Sequence, residues 1–282
     1  MPKDSVAFQE IRVLQNLSKA RHAHDHLVSL LATYEQDEHI CLILPWAEMD
    51  LAQYWENTDP RSFRDDIALS TWLRQQSCGL AGAVSHMHHY KTYSGTLMLP
   101  SITSAGPEAE EMPNRPQSIG SNEPRNRKTL FGRHGDIKPQ NILWYPSASD
   151  TESSTPSFGI LRLSDFGTAH FSDKEGVSVR NKITMPYSMS YQSPECRLPQ
   201  GFISLQCDVW ALGCVFLEFV CWYFGGHEHL QAFQRARERE SGTGSPCFFR
   251  ISCEEKLGKH FAEPNPPVTK VSACIPPSCS EG

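Results

Sequence analysis

The chain has 282 residues, of which 39 % are hydrophobic and 21 % are charged, and its formal net charge at pH 7 is −6. This composition is ordinary for a globular protein that buries a core, in one large domain or two small ones. The negative net charge and the lack of a basic stripe with interleaved aromatic residues give no reason to expect a nucleic-acid partner.

The cysteines and the first residues favour an intracellular protein. None of the ten cysteines forms a C-x-x-C pair, so the spacing typical of zinc sites is missing. The N-terminal sequence MPKDSVAFQE has neither the apolar core nor the cleavage pattern of a secretion signal. We therefore expect a protein of the cytoplasm or the nucleus, with reduced thiols.

The first part of the chain alternates patterns typical of helices and strands. Apolar residues at helical spacing predict a helix over 5–17, and two strands are predicted in 27–45, around a polar turn at 35–38. A short helix is predicted over 50–55, and a long amphipathic helix over 68–90.

The composition changes after the long helix. Residues 91–133 are rich in Ser, Pro, Glu, Asn and Arg and poor in aliphatic residues, which predicts a mostly disordered insert. Short strands are predicted over 141–145 and from Ile160 onward. Towards the end, the sequence predicts a charged helix over 231–240 and an unstructured tail over 263–282, rich in Pro, Ser and Cys.

Residues 209–226, VWALGCVFLEFVCWYFGG, are almost wholly apolar. A helix that is apolar all round either spans a membrane or occupies the centre of a large core. Glu218 lies in the middle of the segment and Asp208 directly precedes it. The segment by itself leaves both interpretations open, with the core favoured.

The stretch 134–143 reads HGDIKPQNIL and places Asp136, Lys138 and Asn141 just ahead of a predicted strand. Phosphoryl transfer needs these groups, because a carboxylate accepts the proton of a hydroxyl, an ammonium neutralises phosphate charge, and an amide oxygen holds a metal ion. The same HGD opening occurs in enzymes that phosphorylate proteins and in enzymes that phosphorylate small molecules. The motif alone therefore leaves the substrate class open.

With the triplet Asp165-Phe166-Gly167 in LRLSDFGTAHF, this loop resembles the catalytic loop and metal-binding triplet of eukaryotic-type protein kinases. Ser193-Pro194-Glu195 is similar to the end of that family's activation segment. Asp208 and Trp210 resemble residues at the start of the family's central buried helix. Small-molecule kinases with an HGD loop usually have I-D-W in place of DFG and lack the activation segment. The resemblance is therefore to protein kinases, and it implies a core helix over 209–226 and no membrane span.

The resemblance implies a role for each polar residue of the loop. Asp136 would be the catalytic base, and Lys138, which is typical of the serine/threonine-directed branch, would meet the transferred phosphate. Asn141 and Asp165 would hold magnesium. The implied cofactors are ATP and Mg²⁺, and the implied partner is a protein with a Ser or Thr acceptor; the sequence does not indicate an oligomeric state.

The resemblance also implies an ATP pocket. Glu10, in FQEIRVLQNL, occupies the position of the Glu that pairs with the family's ATP-binding Lys, and Leu44 that of the gatekeeper. The Pro45 carbonyl and the Ala47 backbone would contact adenine at the hinge, since proline lacks only a donor. Leu143 would close on the underside of adenine.

The chain departs from the family pattern in several places. No G-x-G-x-x-G occurs, and Lys3 is too close to Glu10 to be the phosphate-binding Lys, because a strand and a loop should separate them. Gly135 replaces the Arg that usually precedes the catalytic Asp. The family pairs the residue at Glu195 with an Arg near the last helices, and no arginine after Gly226 lies in a recognisable motif. We expect either another cation beside Glu195 or a loosely closed lobe.

We therefore predict an α+β, bilobal protein kinase-like fold, with an incomplete small lobe that lacks its first three strands and a mainly helical large lobe. Residues 1–47 would form the partial small lobe and the hinge, and 48–226 the large lobe with its disordered insert at 91–133. Residues 227–282 would form a degenerate C-terminal part and a disordered tail.

Three functional hypotheses follow from these patterns. The first is a serine/threonine protein kinase, favoured by the retention of all four polar groups in the two motifs. The second is a catalytically dead pseudokinase that acts as a binding or regulatory module, favoured by the missing Gly-rich loop and Lys, because positioning and electrostatics supply nearly all the catalysis in this family. The third is a truncated or mispredicted chain of an active kinase.

Overall fold

The computed structural model describes residues 6–19, 23–37, 39–63, 65–93, 127–147, 158–172, 189–198, 203–241, 244–254 and 259–274. The described chain begins with helix α1 (Val6–Leu17), which buries the apolar side chains that define its helical spacing, Ile11, Val13, Leu14 and Leu17. Strands β1 (Ala32–Gln36) and β2 (His39–Ile43) follow as an antiparallel hairpin. The predicted first helix and the two predicted strands around a polar turn are confirmed.

Two helices follow the hairpin, and aspartates cap both. The short strand β3 (Met49–Asp50) leads into α2 (Leu51–Asn57), where Asp50 forms a capping box with Gln53. Helix α3 (Asp66–His88) starts after Asp65, whose carboxylate accepts hydrogen bonds from two backbone N–H groups. Both helices occupy the predicted places.

The ends of the predicted disordered insert are strands. Strand β4 (Tyr90–Tyr93) pairs antiparallel with β5 (Arg127–Arg133), so the prediction of disorder over 91–133 is wrong at both ends. The polar composition of the whole segment hid the short pattern of β5, in which Leu130 is buried. The centre of the predicted insert, residues 94–126, lies outside the described residues.

Two three-stranded sheets hold the middle of the chain. Strands β6 (Ile142–Tyr145) and β7 (Ile160–Leu163) form a sheet with β3, in the order β3-β6-β7. Strand β8 (His170–Ser172) pairs with the end of β5, which gives the order β4-β5-β8. The predicted strands at 141–145 and from Ile160 are confirmed, and most of the loop between them lies outside the described residues.

Helix α4 (Gln206–Ser241) runs through the predicted domain boundary at 226. Its backbone breaks at Gly226, with φ 68° and ψ −165°, a conformation that favours glycine. The predicted charged helix over 231–240 is the second half of α4. Leu230 and Phe233 of this half belong to the same hydrophobic core as Phe219 of the first half. Residues 227–241 therefore continue α4 and pack against the same core.

Among the described residues, α4 is the one helix whose length and composition would allow it to cross a bilayer. In its apolar window 50 % of the residues are buried inside the protein, and core helices meet the same criteria of length and composition. The complete burial of Val215, Phe219 and Trp222 agrees with the expected core position.

The last described elements are strands β9 (Phe249–Glu254) and β10 (Lys259–Pro264), which form an antiparallel hairpin, and helix α5 (Pro266–Cys274). The prediction of an unstructured tail from residue 263 is therefore wrong as far as Cys274. Buried Asn265 explains the order, because its amide donates hydrogen bonds to the carbonyls of Arg237 and Cys247, at 2.9 and 3.0 Å. Together the small sheets and the helices form an α+β fold, as predicted.

Candidate active site

The loop after β5 carries the three predicted polar residues, and its buried side chains fix it. His134 and Ile137 are 0 % and 1 % exposed. A short 3₁₀ turn, Pro139–Asn141, ends the loop and leads directly into β6. Because its anchors are buried on both sides of Asp136, the loop presents this carboxylate from a fixed backbone.

Asp136, Lys138 and Asn141 meet around one carboxylate oxygen. The Lys138 ammonium lies 2.6 Å from Asp136 Oδ2, and the Asn141 amide donates to the same oxygen at 3.1 Å. The Asn141 amide also donates to the Asp136 carbonyl at 2.8 Å, so its nitrogen is held and its oxygen Oδ1 is turned to other partners. The structure thus brings together the three residues that the sequence analysis singled out in this loop.

Asp165 follows β7 and stands beside this group. The Asn141 carbonyl accepts hydrogen bonds from the Ser164 N–H and hydroxyl, at 2.8 and 3.0 Å, which ties the two segments together. Asp165 itself is exposed and adopts φ 60°, a left-handed backbone conformation that is uncommon outside glycine. One oxygen of its carboxylate accepts the Gly167 N–H at 3.2 Å.

Glu10 of α1 lies against Asp165 and Phe166, and no cation pairs with it among the described side chains. Burial and the nearby Asp165 carboxylate raise the pKa of Glu10, and a hydrogen bond from the Phe166 N–H partly offsets this effect. Glu10, predicted to occupy the position of the Glu that pairs with the ATP-binding Lys, therefore lies near the Asp165 carboxylate. The lysine that the family places here has no counterpart in the described chain.

Asp208, at the start of α4, fixes the backbone of the loop through hydrogen bonds. The sequence did not predict this function for Asp208. Its carboxylate accepts the backbone N–H groups of His134 and Gly135 at 2.8 and 2.9 Å, and the ring of His88 at 3.0 Å. Burial raises the pKa of Asp208, but these hydrogen bonds and the nearby His134 outweigh burial and leave the pKa below its usual value. A lone Asp directly before a long apolar helix was the available signal.

His134 connects this support to the apolar interior. Its ring stacks obliquely on Phe166, with the centroids 5.3 Å apart, and its Nε2 lies 3.0 Å from the Ser164 carbonyl. Burial lowers the pKa of His134 against the pull of Asp208, so the ring is neutral at pH 7. Leu14 and Leu30 of the N-terminal region pack in the same core as Phe166.

The residues predicted to contact adenine lie around the start of β3 and along β6. Leu143 pairs with Asp50 in the register of β3 and β6. The hydroxyl of Tyr145 lies 3.5 Å from the Pro45 carbonyl, the same carbonyl that is predicted to face adenine. Leu44 is 38 % exposed and Ala47 is half-buried, so this side of the predicted pocket is open.

The oxygen donors of Asn141 and Asp165 fit a hard cation. Magnesium prefers oxygen ligands, usually one or two from the protein with water and phosphate oxygens completing the octahedron. The free Oδ1 of Asn141 and the exposed carboxylate of Asp165 supply such a pair. Within the described ranges, no cluster of three His, Cys, Asp or Glu side chains could hold a metal by itself.

The expected cation for Glu195 is absent from the described residues. The Cys207 sulfur lies 3.9 Å from Glu195 Oε1. Arg237, one of the arginines after Gly226, pairs instead with Glu218 at 2.6 Å, inside the core. Glu195 itself is only half-buried, so the absence of a cation costs less than it would in a sealed core.

Comparison with known proteins agrees with this geometry. Residues 132–246 match the protein kinase domain family, which covers the loop of Asp136, the triplet at Asp165 and both parts of α4. Over 272 residues the chain is 24 % identical to serine/threonine-protein kinase AFC3 of Arabidopsis thaliana, with 88 % of this chain and 55 % of that protein covered. The chain thus spans about half the length of this curated relative.

The motifs, their assembly around Asp136 and both comparisons point to one class of protein. The chain is similar to protein kinases of the eukaryotic type, and residues 132–246 match the protein kinase domain.

Proposed function

We propose that this domain transfers a phosphoryl group from ATP to serine or threonine hydroxyls of a protein. The observation that carries the proposal is the meeting of Lys138 and Asn141 on one oxygen of Asp136, at 2.6 and 3.1 Å. This arrangement holds a carboxylate, an ammonium and an amide together at one point. A protein that only binds a partner has no physical need for it.

Each residue has a definite task in the proposed reaction. Asp136 orients the acceptor hydroxyl and takes its proton as the oxygen attacks phosphorus. Lys138 moves its ammonium from Asp136 to the phosphoryl oxygens and stabilises their charge. Asn141 and Asp165 would hold magnesium, which neutralises the phosphate chain when it is bound together with ATP.

The nucleotide side of the site would use Glu10, Leu44, Pro45, Ala47 and Leu143 as the family does. The half-open surroundings of Leu44 and Ala47 support contact on one side of the adenine ring. The protein would act in the cytoplasm or the nucleus, and the free cysteines among the described residues support this location.

A second function, that of a binding or regulatory module without catalysis, is favoured by two observations. Glu10 meets Asp165 instead of a lysine in the described chain, which leaves the phosphates without that ammonium. The β1–β2 hairpin also exposes several apolar side chains to solvent, among them Tyr34 at 49 % and Ile43 at 44 % exposure. Such a face is typical of a surface that another protein covers.

The two functions separate in one experiment. The purified chain is incubated with radiolabelled ATP, Mg²⁺ and a mixture of acceptor proteins, and the labelled amino acids are identified. Label on serine or threonine is expected, and Asp136→Asn should lower the rate by roughly 10²–10⁴-fold, the usual contribution of a general base. Asp66→Asn, in the exposed first turn of α3, is the matched control and should leave the rate unchanged.

A rate that Asp136→Asn does not alter would contradict the assignment of the base. If no label is transferred, the thermal shift with ATP and Mg²⁺ decides between the two functions. A rise in Tm without transfer would support the binding module and overturn the proposal of catalysis.

A further inference from the structure

Two free cysteines face each other next to the predicted catalytic loop. Cys196 ends a short 3₁₀ turn, Pro194–Cys196, and Cys207 lies in the first turn of α4. Their sulfur atoms are 3.5 Å apart. In a disulfide the two sulfurs are about 2.05 Å apart. Rotation of the two side chains can bring the sulfurs from their present separation to this distance.

The polar groups around the pair favour a reactive sulfur on Cys207. Hydrogen bonds from the Cys196 thiol, from Ser193 and from the Ser204 N–H lower the pKa of Cys207 to about 6, although burial and Glu195 act in the opposite direction. The contact with Cys207 and burial raise the pKa of Cys196. At pH 7 the pair therefore holds one thiolate and one thiol, the combination that thiol oxidation requires.

A small cavity borders the pair. A cavity of about 20 Å³ lies between the two turns and the catalytic loop, large enough for a molecule about the size of water. Its lining includes both cysteines, Ser193, Tyr191, Asp208 and the predicted base Asp136.

We propose that Cys196 and Cys207 form a reversible disulfide when the protein meets hydrogen peroxide, and that this bond clamps the 189–198 segment onto the start of α4. The Cys207 thiolate attacks one peroxide oxygen, the O–O bond breaks, and a sulfenic acid and hydroxide form. The Cys196 sulfur then attacks the Cys207 sulfur, the S–O bond breaks, and hydroxide leaves and takes the Cys196 proton. Two thiols lose two electrons, and one peroxide becomes two waters.

The bond would add a covalent link between two segments that already contact each other through the Tyr191 hydroxyl and the Glu218 carboxylate. Cys196 and Cys207 line the same cavity as Asp136. A disulfide between them would therefore change the shape of this cavity next to the candidate active site. The chemistry uses only the two cysteines and peroxide, and therefore does not depend on phosphate transfer.

The first test needs no variant. The purified, reduced chain is treated with hydrogen peroxide at pH 7, remaining thiols are blocked, and peptides are analysed by mass spectrometry. A peptide pair joined through Cys196 and Cys207 is expected, and dithiothreitol should remove it. The exposed Cys78 serves as internal reference. Oxidation of Cys78 while Cys196 and Cys207 stay reduced would overturn the proposal.

Variants test the mechanism and the clamp. Cys207→Ser should lower the rate of Cys196 oxidation by about tenfold or more, since it removes the thiolate. Oxidation should raise the Tm of the natural chain by several degrees, and Cys196→Ser should not show this rise, whereas Cys78→Ser should. Equal rates in Cys207→Ser and the natural chain, or a rise in Tm that survives Cys196→Ser, would contradict the proposal.

Discussion

The Arg237 guanidinium lies 2.6 Å from a Glu218 carboxylate oxygen, and the two side chains are 1 % and 0 % exposed. They come from the two halves of α4, on either side of the break at Gly226. The Tyr191 hydroxyl donates to the other Glu218 oxygen at 2.6 Å, and the guanidinium lies over the Phe248 ring at 3.8 Å. One ion pair therefore joins the 189–198 segment, α4 and the start of the C-terminal hairpin.

Arg237→Met should lower the free energy of unfolding by about 3–5 kcal/mol, because it leaves Glu218 buried without a cation. Denaturant unfolding measures the change. Arg235→Met is the matched control, since Arg235 is exposed and its guanidinium donates to Gln231 in the same helix. A loss below 1 kcal/mol for Arg237→Met would show that the core tolerates the unpaired carboxylate.

Asp208→Asn should loosen the loop of the predicted base. The asparagine keeps one acceptor and turns an NH₂ group towards the N–H groups of His134 and Gly135, so we expect a loss of about 3 kcal/mol in the free energy of unfolding. Amide hydrogen exchange at Gly135 should accelerate together with it. Asp66→Asn again serves as control, and an unchanged exchange rate at Gly135 would contradict the role of Asp208.

Gly135→Ala should be destabilising for a local reason. Gly135 has φ 91°, and an added Cβ would lie 3.0 Å from both Arg133 Nη1 and Thr168 Oγ1. We expect a cost of about 1–3 kcal/mol, measured by denaturant unfolding. Gly213→Ala in α4 is the matched control, because its Cβ would meet nothing within 4 Å, and alanine there should stabilise the helix by about 0.5–1 kcal/mol. Similar effects at both glycines would refute this explanation.

Stability should fall as the pH drops below 6.5. Burial lowers the pKa of His24, His26, His134 and His170 from 6.5. Between pH 6.5 and the lowered pKa of each histidine, the unfolded chain binds a proton that the folded chain does not, so stability falls as the pH falls. The contribution should be largest for the fully buried His134 and smaller for the partly exposed His24, where solvent screens the charge. Above pH 6.5 both states are neutral and the loss disappears. The raised pKa of Glu10 acts in the opposite direction, because the folded chain takes up this proton before the unfolded chain does as the pH falls towards 4.5.

Denaturant unfolding between pH 7.5 and 5.5 measures this slope. His24→Gln should make it shallower, because the repulsion of His24 by His86 and His26 adds to its burial. His39→Gln, on the exposed β2 strand, should leave the slope unchanged. An equal slope in the natural chain and His24→Gln would show that His24 does not contribute.

Local patterns predicted those elements whose buried face is formed by apolar residues at regular spacing within one short segment. The spacing of Ile11, Leu14 and Leu17 was sufficient for α1, and the motif around Asp136 pointed to side chains that the structure brings into contact. Contacts between distant segments were not predictable. The pairing of Glu218 with Arg237 depends on the turn of the backbone at Gly226, and sequence spacing gives no sign of it.

The errors have a common physical cause. Strand β5 lies in a polar segment, and α5 lies in a segment rich in Pro and Ser, so average composition pointed to disorder in both. Their order comes from partners elsewhere: β8 pairs with β5, and the Asn265 side chain anchors the chain just before α5. Composition indicates how much apolar surface a segment can bury by itself. Whether the segment is ordered also depends on the strands and side chains that contact it in the fold.

The hairpin β1–β2 has a consequence for the handling of this protein. Trp46, just beyond it, is 89 % exposed and Leu31, just before it, is 63 % exposed, while both outer edges of the hairpin are unpaired in the described chain. Apolar side chains beside a free strand edge are the elements from which chains stack on one another. Self-association should therefore rise with concentration, and a charge placed at Tyr34 should improve yield and shelf life while the loop of Asp136 keeps its shape.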